Sequence, residues 1–187
     1  NLVTLVFDQA GNSSFAGPIS GLIAVEKKGA GTLTLTGAST YTGGTTITAG
    51  ALAASNTLGS GPIVNNASLQ LSNSSALTLS NDISGTGTVV QNGTGTVTLS
   101  GNNSYTGGTT LSSTGTLSLG SANAIGTQGT ITFLGGTLQY PSSISVNSTD
   151  YSACFEGTTP SQSFRIDTNG QNISLATGFG TTGSGFS

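Results

Sequence analysis

The sequence predicts an all-β chain wound as a parallel β-helix, a β-solenoid of about eight coils with essentially no α-helix. Three observations predict it. One module is written twice, its short runs alternate apolar and polar residues between Gly or Asn turns, and charged residues make up only 5% of the chain.

The repeat comes first because it separates architectures that share similar strands. With Ile19 laid over Ile83, ISGLIAVEKKGAGTLTLTGASTYTGGTTI at Ile19–Ile47 aligns without gaps on ISGTGTVVQNGTGTVTLSGNNSYTGGTTL at Ile83–Leu111. After a single insertion Gly50 and Leu52 meet Gly115 and Leu117. Further on Ile63 meets Ile131 and ASLQL meets GTLQY, so the unit lengthens slightly along its course. IDTNGQNISLATGFGTTGSG near the end resembles the opening FDQAGNSSFAGPISG, with Phe7 opposite Ile166 and Ile19 opposite Phe179. The expected organisation is a single β-solenoid segment over 1–187. It holds modules 19–82 and 83–140, an insertion at 141–165 and a partial third module at 166–187.

Within each module, GTLTLTG at Gly31–Gly37, TTITAG at Thr45–Gly50 and ASLQLSN at Ala67–Asn73 read as half-buried strands, because side chains alternate between two faces with period two. Leu33 and Leu35 should face a core and Thr32 and Thr34 water; Val97 and Leu99 repeat this against Thr96 and Thr98. Strands of this length suit a sandwich or a solenoid. A module repeated whole selects the solenoid, where each coil meets a similar coil above and below. At roughly 20–25 residues per coil a module makes about three coils, and at a strand spacing of about 4.8 Å the stack is about 40 Å long.

The low charge follows from stacking. Equivalent positions lie directly opposite, so Lys would face Lys and Glu would face Glu, and like charges in that position are destabilising. Ladders of Thr, Ser and Asn avoid the repulsion. Helix formers are scarce and Gly interrupts most stretches, with 30 Gly and no Met or Trp, which disfavours α-helix.

Composition also excludes function classes. The net charge is −3, with Lys27, Lys28 and Arg165 the only basic side chains, so no basic stripe offers itself to nucleic acid. No apolar run approaches the ~18 residues of a membrane span. Residues 1–10 lack the basic and hydrophobic regions of an export signal, which is expected to be removed or to lie outside this chain. Cys154 is the only cysteine; it cannot form an intrachain disulfide and reads as a small buried hydrophobe, with an intermolecular bridge as the alternative.

GAGTLTLTGASTYTGGTTITAGAL at Gly29–Leu52 and GTGTVTLSGNNSYTGGTTLSSTGTL at Gly93–Leu117 resemble the autotransporter-associated β-strand repeat, also called the passenger-associated transport repeat. GGTLQY, TDYSACF and RIDTNGQNISLATG are similar to the segments between such repeats in large bacterial surface proteins. The resemblance implies a right-handed parallel β-helix in an exported bacterial protein, often a passenger carried to the cell surface, with the repeat aiding secretion and folding. It implies no catalytic residue.

Residues that could carry chemistry are few. The chain has no His, which removes the usual general base, the Ser-His-Asp triad and the commonest metal ligand. Asp150, Glu156 and Asp167 form the one grouping of acids that a carbohydrate-active enzyme could use, and turn capping is the plainer reading. YTGGTT lacks the Asp of calcium-binding β-roll turns, and GTGTVVQNGTG at Gly85–Gly95 has no helix after it to make a phosphate loop. Tyr41 and Tyr105 hold the same place in both modules and could bind sugar or pack a coil corner. Asn12, Asn66 and Asn92 head glycosylation sequons that chance supplies in a chain this rich in Asn, Ser and Thr. Pro141–Arg165 is expected to protrude as a loop, as solenoid insertions do, and to carry any specific recognition.

The expectation is a non-enzymatic structural segment of a bacterial extracellular or outer-surface fibre. It has no catalytic, cofactor or metal site. Its partner is itself, through head-to-tail stacking or further modules of the same protein, with glycan as the ligand in an adhesin alternative.

Overall fold

The computed structural model describes residues 2–126, 128–142, 149–157 and 162–177. The chain winds as a parallel β-solenoid of about 7 turns with three sheets as its sides. The first sheet stacks β1 (Val3–Asp8), β3 (Ile23–Lys28), β5 (Thr45–Ile47), β7 (Ile63–Asn65) and β10 (Ile83–Ser84). The second stacks β2 (Ser13–Phe15), β4 (Thr32–Leu35), β6 (Ala51–Ala54), β8 (Ser68–Leu71), β11 (Thr88–Gln91), β13 (Thr109–Leu111) and β15 (Ile131–Phe133). The third stacks β9 (Leu77–Leu79), β12 (Thr96–Leu99), β14 (Thr116–Leu119), β16 (Thr137–Gln139) and β17 (Ile166–Asp167). Among the described residues every strand pairing is parallel and there is no α-helix.

Alternation sets the inside. In TLTL of β4 and TVTL of β12 the apolar residues are buried and the threonines half-buried. Each inward residue rests on its counterpart one coil away. Leu33, Leu52, Leu69, Val89, Thr109 and Ile131 form one such column, and Leu77, Val97, Leu117, Leu138 and Ile166 form another. Burying an aliphatic side chain contributes about 1.5–3 kcal/mol, so these columns are the main source of cohesion between coils.

The turn count is slightly below the eight expected. Most coil-to-coil steps resemble those from Leu77 to Val97 and from Val97 to Leu117, but the last, from Leu138 to Ile166, is eight positions longer. The insertion lengthens that step, and it does not behave as expected. Its described part crosses the end of the stack instead of protruding. Tyr151 is fully buried; its hydroxyl donates to the Ala122 carbonyl at 2.9 Å and accepts the Ile125 N–H at 3.4 Å. Phe155 bridges to Ile131, and the Phe155 and Phe164 rings meet Phe133 edge-on at 5.4 and 5.2 Å. Three aromatic side chains and a buried Tyr need a core to bury in, and the end of the columns supplies it. The rest of the insertion, 143–148 and 158–161, and the end of the expected third module, 178–187 with Phe179, lie outside the described residues.

Leu99→Ala should cost roughly 2–5 kcal/mol, because it opens a cavity in a column, whereas its outward neighbour Thr98→Ala should stay within about 0.5 kcal/mol of the parent. Urea denaturation followed by circular dichroism compares the two, and equal losses would contradict the inward and outward assignment.

Candidate functional site

The residues that the two modules share most closely, YTGGTT at Tyr41–Thr46 and Tyr105–Thr110, form a corner of the coil. Tyr41 and Tyr105 are fully buried, with hydroxyls 2.6 and 2.7 Å from Oγ1 of Thr45 and Thr109, four residues on. Thr45 and Thr109 stand at inward positions where the column otherwise holds Val, Ile or Leu. A hydroxyl there needs a partner, and the Tyr of the same motif provides it. The chain turns between them through Gly44 (φ 86°) and Gly108 (φ 90°), a backbone conformation that L side chains resist.

The next coil is cut to fit this corner. Gly59 and Gly126 follow Leu58 and Ile125 at equivalent places, and a Cβ on either would overlap the Tyr41 or Tyr105 carbonyl oxygen. YTGGTT and the later Leu-Gly or Ile-Gly therefore form one packing unit spread over two coils.

Sequence reasoning missed a second set of residues, polar side chains buried inside the turns. Lys27 is fully buried, and its ammonium donates to the carbonyls of Lys28, of Gly29 (2.8 Å) and of Ala49 (3.2 Å). Its counterpart Gln91 donates to Gly95 (2.9 Å) and Thr116 (3.3 Å) and accepts the Gly93 N–H at 3.0 Å. Asn65 donates to Thr88, Asn81 to Gly59 and Gly61, and Asn103 to Ala124 while accepting the Ile83 N–H. Each satisfies carbonyls or N–H groups in a turn or at the first residue of a strand, and an unpaired buried one would cost about 1–3 kcal/mol. The signal was present: Lys27 and Gln91 interrupt the apolar inward positions of β3 and β11 at the same place in the two modules. Burial lowers the Lys27 pKa, and Asp8 partly opposes the shift.

The three acids singled out from the sequence stand on three different sides of the end coil. Asp150 accepts the N–H groups of Ser152 and Ala176, both at 2.8 Å, beside the Tyr151 segment, and the Ser152 contacts followed by Ala176 hold its carboxyl below the usual range. Asp167 in β17 accepts from Gln139 Nε2 and the Asn169 N–H at 2.8 Å and is lowered in the same way. Glu156, whose N–H bonds to Ile131 next to the second sheet, accepts from Gln162 Nε2 at 2.8 Å. Each carboxylate ties its own stretch of backbone or side chain to the end coil. Among the described residues no three His, Cys, Asp or Glu side chains gather as they would around a metal ion. Cys154 is half-buried against the core, and burial raises its thiol pKa, the opposite of what a reactive thiolate needs.

Tyr41, Tyr105, Tyr140 and Tyr151, the chain's four tyrosines, are all fully buried. None offers a ring for stacking on sugar. Burial pushes all four hydroxyls upward, that of Tyr140 to about 12.

The passenger-associated-transport-repeat family model matches residues 25–54 and 89–119. Both stretches run from an inward valine of a strand through the YTGGTT corner to the following strand. No curated protein and no solved structure matches the chain.

Tyr105→Phe should cost about 1–3 kcal/mol, since it leaves the Thr109 hydroxyl buried without its partner. Adding Thr109→Val should restore most of that loss, and a double-mutant cycle by chemical denaturation reads the coupling. Zero coupling would mean that the pair holds nothing.

Stability should also fall in alkali. Unfolded tyrosine titrates near pH 10, and the four buried tyrosines keep their protons above that. Their contribution is complete below pH about 10 and is lost as the pH rises from there towards and beyond 12. Lys27 acts in the other sense, because its lowered pKa makes the unfolded chain the better proton acceptor up to about pH 10.5. Four groups outweigh one, so tyrosinate absorbance should rise together with loss of the β circular dichroism signal; absorbance rising first, on a folded chain, would contradict this.

Proposed function

This chain is an autotransporter-associated β-helix repeat protein, and we propose that it serves as a load-carrying length of rod in an extracellular bacterial surface fibre or secreted passenger. The observation that supports this reading is where the repeated residues go. Tyr41 and Tyr105 with Thr45 and Thr109, the Lys27 and Gln91 plugs and the inward Leu and Val are all buried within the stack. A binding or catalytic repeat would show its shared residues to solvent. Here the module repeats its interior.

The same ladder supports end-to-end growth. β1 pairs with β3 along one edge from Val3 to Asp8, and the other edge is a template of the kind that accepts a further parallel strand. A coil from elsewhere in the same protein or from a second copy fits that template. Glycan recognition along a row of tyrosines has no surface to act on, since the rings lie inside.

Antibodies raised against the folded chain should label intact cells of the producing bacterium or its culture medium. Labelling only after the cells are permeabilised would overturn the surface assignment. Light scattering of the purified chain tests growth separately: association that Val6→Pro abolishes is expected, and a monomer at every concentration would contradict it.

A further inference from the structure

Equivalent strands of the two modules lie on different faces of the rod. β3 belongs to the first sheet, and its counterpart in the second module, β11, belongs to the second; β4 belongs to the second and β12 to the third. The same one-face step separates β5 from β13, β6 from β14, β7 from β15 and β8 from β16. All six pairs move in the same sense.

The ladder explains the step. Starting from Val25, the first sheet passes Thr45 and Ile63 and reaches Ile83 after three coils. The module does not repeat there. Its equivalent residue is Val89, six positions further on, by which point the chain has turned the corner and entered the second sheet, where Val89 pairs with Leu69 and Thr109. A whole number of coils, the three expected from the length of the module, is therefore not the unit of this repeat.

We infer that the passenger repeat in this protein is a screw operation: each module advances the rod by three and one-third coils and turns its pattern by one face. Three modules, about ten coils or about 48 Å at the spacing of parallel strands, return the pattern to its starting face. Any surface feature written into the module is thereby spread over three sides. A partner that touches equivalent residues of successive modules must wind around the rod, and a flat partner lying along one side meets a different part of each module.

The corner chemistry permits this because its bonds are local. Tyr41 satisfies Thr45 and Tyr105 satisfies Thr109 within one motif, so the pair works in the first sheet and again in the second. Lys27 and Gln91 each bond their own turn and the coil that follows it, on whichever face that turn lies. Outward positions are freer: Thr34, Thr42 and Thr46 recur as Thr98, Thr106 and Thr110, but Glu26 stands against Val90 and Lys28 against Asn92.

Pyrene labels on cysteine pairs test the step directly, in a Cys154→Ser background and in excess unlabelled protein so that only intramolecular pairs report. Val90 and Thr110 are direct partners in the second sheet, so Val90→Cys/Thr110→Cys should give strong excimer emission. If the module were a whole number of coils, Thr110 would follow Thr46 and Val64 in the first sheet and stack on Ser84; Ser84→Cys/Thr110→Cys should give monomer emission only. Circular dichroism confirms that each variant keeps its β signal. Excimer from the Ser84 pair, or none from the Val90 pair, overturns the screw. Strand pairing carries this result, so it stands or falls separately from the surface location proposed above.

Discussion

Backbone pairing between successive coils, at the near-constant step that sets Leu77 over Val97 and Val97 over Leu117, is the constraint on which the rest of this molecule depends. Backbone N–H and C=O groups are engaged by a neighbour above or below, as in Thr48 N–H to Lys27 and Asn66 N–H to Ile47. Because pairing is parallel, each residue is placed over its counterpart on the coil before. Side chains are then chosen column by column. Leucine over leucine fills the interior, and threonine over threonine, as in Thr96, Thr116 and Thr137, covers the outside.

Charge shows how strict the column rule is. Glu26 stands between Val6 and Thr46 in its column, and the charges that do meet, Asp8 and Lys28, are of opposite sign. The ion pair of Lys28 with Glu26 at 3.3 Å lies partly exposed at the surface and adds little. The buried cation, Lys27, sits among carbonyl oxygens instead of carboxylates, so it completes turns as an amide would. Gln91 in the second module does the same with a neutral group, which shows that hydrogen bonding and not charge is what the position requires.

The end of the stack is organised differently from its middle. Columns of Leu and Val give way to rings, with Tyr140, Tyr151, Phe133, Phe155 and Phe164 gathered over the last coils. Aspartates fasten this region, Asp150 to Ser152 and Ala176, Asp167 to Gln139 and Asn169. Asp150, Glu156 and Asp167 are thus fastenings, the plainer of the two readings the sequence offered, and the described part of an insertion expected to protrude packs over the core.

Period-two alternation and a module written twice were enough to establish strands, a solenoid and a buried leucine ladder, because those depend on local spacing and on stacking like over like. Three things were decided only in the folded chain. Coil length is set by how much chain each corner takes, so the module became three and one-third coils where its length suggested three. The plugs Lys27, Asn65 and Gln91 are identified by carbonyls on their own turn and on the next coil, which no local pattern reveals. Asp150, Glu156 and Asp167 lie close together in sequence, yet the winding of the end coil puts them on separate sides, since nearness along a solenoid chain means a different face as often as a shared one.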